Sequence, residues 1–104
     1  MGVRKEVADF VAMGPLPAED DPASDEHDLQ RREHALKAIR PPVNEDEAVA
    51  LLECFGPDNC FGLAWTLLHL IETAPDTPVH FKPPEPANEW VRGLWERWQR
   101  GKKR

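Results

Sequence analysis

Two cysteines, Cys54 and Cys60, are all this chain carries, too few for a disulfide framework. No signal peptide is expected, because Met1 is followed by Gly-Val-Arg-Lys-Glu where a signal peptide needs an apolar core. The longest apolar run, Cys60–Ile71, is interrupted by Gly62, Thr66 and His69 and is too short to span a bilayer. Gly2 has no Ser or Thr at the position an acylation signal requires. These absences argue against a disulfide scaffold, a membrane span and a lipid anchor, and make the cytoplasm the expected location.

Catalytic signatures are missing too. There is no glycine-rich phosphate loop, no G-x-S-x-G and no carboxylate pair in an apolar setting. His27 and His34 lie seven apart with Arg31 between them, which is not zinc-protease spacing. The acids Asp20, Asp21, Asp25, Glu26 and Asp28 lack the fixed Gly and terminal Glu of a calcium loop. Cys54, Cys60 and His69 offer no second ligand pair for zinc. No enzyme activity, metal or cofactor is expected.

What the chain does have is charge and proline. Net charge is −6, unevenly spread: Glu19 to Glu47 holds ten acids and four bases, whereas Asn88 to Arg104 holds six bases and two acids. The overall balance opposes general nucleic-acid binding, whose affinity rests mostly on phosphate contacts. Eleven prolines among 104 residues are about twice the usual share, and they fall between apolar runs. This predicts short helices with stiff connections in one domain, which at this size buries roughly 65% of its unfolded surface.

Val3, Val7, Phe10 and Val11 recur at helical spacing and predict a first helix, ended by Gly14-Pro15 and Pro17. Residues 14–24 read as a flexible acidic linker too polar and proline-rich to pack. A second helix, capped by Ser24 or Asp25, runs to about Arg40 with a thin stripe of Leu29, Leu36 and Ile39. Asn44 followed by Glu47 is a capping-box-like start for a third helix carrying Ala48, Leu51, Leu52 and Phe55. Gly56 is expected to be its left-handed C-terminal residue, with Pro57 forbidding continuation.

A fourth helix, capped by Asp58 and running to Thr73, reads as apolar nearly all round and therefore central. Its one polar or small stripe is Asn59, Gly62, Thr66, His69 and Thr73, at spacings of three, four, three and four. That stripe is a candidate contact for a small ligand or a partner. Cys60, in the first turn, would have its thiol pKa lowered by the helix dipole, although a buried, inert thiol is the plainer reading. The proline-rich loop 74–87 is expected to pin a short extended piece on the core through alternating Val79 and Phe81. A last helix from about Asn88 carries Trp90, Leu94, Trp95 and Trp98 and frays into a basic tail at 100–104.

The expected fold is therefore all-α, about five short helices around a central hairpin at residues 44–73. Three tryptophans within nine residues exceed what a small core needs, and tryptophan is a preferred interface anchor. Candidate partner contacts are Glu45, Asp46 and Glu47 for steering, His80, Phe81 and Lys82 of the proline loop, and Trp95 and Trp98. The run Cys60–Thr73, Cys-Phe-Gly-Leu-Ala-Trp-Thr-Leu-Leu-His-Leu-Ile-Glu-Thr, resembles segments of small uncharacterised proteins of high-GC bacteria. The plan, a short acidic domain without catalytic residues, is similar to that of polymorphic-toxin immunity proteins. That resemblance implies a stoichiometric inhibitor that occludes a basic protein and transfers no functional residue. Two other readings stand beside it: a structural or adaptor subunit joined through the tryptophan helix, and a peripheral nucleic-acid or membrane binder using the basic tail.

Overall fold

The capping box predicted at Asn44 holds the architecture together. In the computed structural model, which describes residues 2–84 and 87–102 (side chains through Arg100), five α-helices and one short 3-10 turn pack around a single core. They are α1 (Lys5–Ala12), α2 (Glu26–Lys37), α3 (Glu45–Leu51), α4 (Leu63–Ile71) and α5 (Glu89–Lys102), with the 3-10 turn Leu52–Cys54 extending α3. No strand occurs among the described residues. The radius of gyration, 13.6 Å, is close to the roughly 13 Å expected of a compact chain this long.

At α3, the Asn44 side chain accepts from Glu47 N at 2.8 Å, and Glu47 Oε1 accepts from Asn44 N at 2.9 Å. Glu47 does more than cap, because it is only 1% exposed. Its carboxylate also accepts from Arg4 through the backbone N–H at 3.0 Å, Nε at 2.8 Å and Nη2 at 3.2 Å. A buried charge must be paired and hydrogen-bonded, and Arg4 does both. That fixes the start of α1 against α3.

α1 buries Val7 and Phe10 and ends where predicted, at Gly14, whose φ is +84°. The sequence reading of 14–24 as a segment that does not pack fails at Leu16, which is 1% exposed and donates its N–H to Cys54 O at 2.9 Å. One leucine suffices to draw a polar strand of chain onto the core. Arg32 of α2 completes the attachment by donating to the carbonyls of Met13 (3.0 Å), Gly14 (3.1 Å) and Pro15 (3.0 Å). Its Nε meets Asp28 at 3.0 Å, so this guanidinium serves carbonyls that α1 cannot bond itself.

Gly56 is required, but for a reason other than the one expected. Its backbone is not left-handed. A Cβ there would run into the Leu16 carbonyl, 2.8 Å from its carbon and closer still to its oxygen. The glycine permits two stretches of backbone to touch.

α4 begins four residues later than predicted, with Gly62 rather than Asp58 before its first residue. Residues 59–62 form a turn instead, with φ of 48° at Cys60, 54° at Phe61 and 94° at Gly62. Asn59 O accepts from both Gly62 N and Ala64 N at 3.1 Å. From there Leu63, Ala64, Leu67, Leu68, Leu70 and Ile71 are buried, while Trp65, Thr66 and His69 are exposed. The helix is central, as expected, yet it is not apolar all round.

α5 packs beside α4 through buried Leu94 and half-buried Trp90, Val91 and Trp95. Trp65 meets Trp90, and Glu72 meets Arg97. Both pairs are separated by 25 residues, so α4 and α5 run in the same direction. Asn88 starts α5: its Oδ1 accepts from Trp90 N at 2.8 Å, and its Nδ2 donates to Gly56 O at 3.0 Å.

Candidate functional site

Helix α4 turns six of its nine residues inward, and what it leaves outside is Thr66 and two rings, Trp65 and His69. Trp65 is 45% exposed. Its ring centroid lies 5.7 Å from that of His69, one turn on, and 5.3 Å from that of Trp90 on α5, at an interplanar angle of 85°. Edge-to-face contact of this kind suits the ring quadrupoles. Trp90 in turn stacks on Phe55 at 6.1 Å and 7°, which ties the surface rings to the core. Farther along, Arg97 and Glu72 form a two-point ion pair at 2.6 and 2.9 Å, whose hydrogen bond holds the Arg97 guanidinium above its ordinary pKa.

The turn before α4 adds a second exposed ring. Phe61 is 63% exposed, and its backbone is clasped by acids. Glu19 Oε2 accepts from Phe61 N at 2.7 Å, Asp58 Oδ1 accepts from Cys60 N at 2.9 Å, and Asp58 Oδ2 accepts from Glu19 N at 2.9 Å. Neither carboxylate forms an ion pair with a described residue. Sequence reasoning placed Phe61 and Trp65 in the core because residues 61–71 look apolar on every face. The available signal was Gly62, which offers a helix somewhere to begin.

The predicted contacts divide. Glu45 and Asp46 are exposed at the start of α3, beside Pro75. Glu47 is not a surface charge: buried and bonded to Arg4, its carboxyl is held down to about 2, chiefly by that side-chain hydrogen bond. Phe81 is 85% exposed, with exposed Lys82 beside it, while Val79 is the one buried side chain among the described residues of the loop. His80 approaches Asp76 at 3.4 Å, and its ring centroid lies 5.6 Å from that of Trp98 in a T-shaped contact, so two predicted contacts from distant parts of the chain meet. Trp95 is half-buried against the core, with its indole N–H buried and without a hydrogen-bond partner.

The predicted stripe does not form a line on one helix. Only Thr66 and His69 lie on α4; Asn59 and Gly62 belong to the turn before it and Thr73 to the turn after. Thr73 is structural, since its hydroxyl donates to Leu70 O at 2.6 Å and accepts from Val43 N at 3.0 Å. The Asn59 Oδ1 atom is buried and accepts no hydrogen bond.

Cys54 and Cys60 are free and buried. Burial pushes the Cys54 thiol up to about 11 and raises Cys60 as well. Cys60 precedes α4 instead of lying in its first turn, and burial reverses the expected lowering. Among the described residues, no three His, Cys, Asp or Glu side chains are grouped to hold a metal ion. No described helix is long and apolar enough to cross a membrane. A cavity of about 270 Å³ lies between the end of α4 and Trp98 of α5, bordered by Asp76 and Arg97. It is smaller than the 300–1,000 Å³ usual for ligand pockets. Lys103 and Arg104 of the basic tail lie outside the described residues, as do the side chains of residues 101 and 102. Comparison with family models, with curated proteins and with solved structures found no match for this chain.

Proposed function

We propose that this chain is a non-catalytic protein-binding module of inhibitor or immunity-protein type, working in the cytoplasm and covering a basic surface on its partner. One observation carries the reading: large aromatic side chains remain at the surface of a chain with net charge −6. Phe61, Trp65 and Phe81 are 63, 45 and 85% exposed, while their smaller neighbours Cys60, Leu63 and Val79 are buried. Aromatic anchors dominate interface energetics, and surrounding acids speed encounter with a basic partner more than they tighten the complex. The adaptor alternative draws less support, because Trp90 and Trp95 of α5 are engaged in closing the core.

The test is a tagged pull-down from the source cytoplasm at moderate salt, read by mass spectrometry. One stoichiometric basic protein is expected. The double substitution Glu45→Lys, Asp46→Lys should then slow association about tenfold at low salt, with little effect on the dissociation rate. An unchanged association rate would remove these two acids from the interface. Glu47 has no place in that experiment, since reversing it would unfold α3.

A further inference from the structure

We infer that Phe61 is the anchor of this module, a rigid aromatic knob that enters an apolar pocket bordered by Lys or Arg on the partner protein. The inference rests on the protein-binding reading above and names the residue that makes the contact.

A single exposed apolar side chain needs no explanation. The backbone beneath this one does. Cys60 and Phe61 have φ of 48° and 54°, a region that costs a residue with a Cβ about 1 kcal/mol or more. For Cys60 the reason lies in packing, because its side chain is fully buried in the core. Phe61 has no such compensation, as most of its ring is in solvent. An asparagine would occupy the same backbone with less strain. Stability therefore does not account for phenylalanine at this position.

Three further observations give the ring a use. The turn is held at both of its strained residues by the Glu19 and Asp58 carboxylates. Asp58 also ties Glu19 in place, so the knob is ordered before any partner arrives. Preorganisation of this kind lowers the ordering cost of binding. The clasp leaves two negative charges beside the ring, with Asp20 exposed next in sequence. An aromatic anchor inside an acidic frame is complementary to an apolar pocket with a basic rim. Trp65, four residues on and also exposed, supplies a second ring.

The experiment pans a surface-displayed library of protein fragments from the source genome with the full chain. Enriched fragments are then tested against Phe61→Asn and Phe61→Trp, with Val49→Asn (Val49 being 55% exposed on α3) as the control surface change. Expected are basic fragments that lose about tenfold or more in affinity for Phe61→Asn and keep theirs for Phe61→Trp and Val49→Asn. Phe61→Asn should also unfold at the same temperature as the parent or a higher one. A lower unfolding temperature would make the ring structural and overturn the inference. So would basic fragments that bind Phe61→Asn undiminished, which would leave the module reading intact. Enrichment of the chain's own fragments would replace the partner with a second copy and overturn the inference. No enrichment, or only acidic fragments, would bring down both readings.

Discussion

The starts of α3 and α4 use the same chemistry to opposite ends. At each, a carboxylate accepts backbone N–H groups from a turn, yet at α3 the acid is buried and matched by Arg4. At α4 the acids stay at the surface with no described cation paired to them. The first arrangement relaxes the backbone into an ordinary extended N-cap. The second holds it in a left-handed run with a phenylalanine pointed at water. A protein can spend local charge on stability or on presentation, and neighbouring helices of one hairpin do one each.

The largest effect should come from the residue between the two starts. Gly56→Ala places a methyl against the Leu16 carbonyl, and separating the two backbones should cost about 3 kcal/mol. Urea denaturation would show this as a lower midpoint with the same slope. Breaking the α3 start is next. Glu47→Gln removes the charge paired with Arg4, whose half-exposed guanidinium keeps the Arg40 carbonyl, and should cost about 1–2 kcal/mol.

The same residue sets an acid limit. Its folded pKa of about 2 lies below the roughly 4.3 of an unfolded glutamate. Its contribution is therefore complete above that higher value and is lost as pH falls from there toward 2. Thermal melts across this range should show the parent losing stability more steeply than Glu47→Gln. Equal slopes would mean that Glu47 does not carry the acid sensitivity.

The smallest effect on stability should come from the α4 start. Asp58→Ala removes the acceptor for Cys60 N and Glu19 N at a half-exposed site, costing about 1 kcal/mol. Hydrogen exchange at Cys60 and Phe61 should quicken while α3 is unchanged. Partner binding should fall by more than the stability change explains, which sharpens the contrast between the two starts.

Much of the fold was legible because its signals are local. Gly14, the Asn44–Glu47 spacing and the start at Asn88 each act within a few residues, and all three do what their chemistry predicts. The failures concern partners far along the chain. Glu47 reads as one more surface acid until Arg4, 43 residues away, is placed against it. Leu16 looks stranded among prolines because its cover lies at Cys54. The stripe from Asn59 to Thr73 fits a helix perfectly well by spacing, and spacing is blind to the three left-handed residues that delay α4. Phe61 was hidden by the same pattern, since periodicity counts apolar residues without showing which of them find cover.

The parallel course of α4 and α5 bears on how much of the chain is connector. To begin α5 beside the start of α4, the backbone must travel back along a nine-residue helix, a distance of about 14 Å. Seventeen residues separate Ile71 from Glu89, and fully stretched they would reach about 56 Å or more. The path could be closed with far fewer. The surplus is surface in its own right, in which Val79 serves as the peg and Phe81 and Lys82 as the part held out. Length in that segment sets the outline the molecule presents, and a shortened chain could keep the helices while losing that outline.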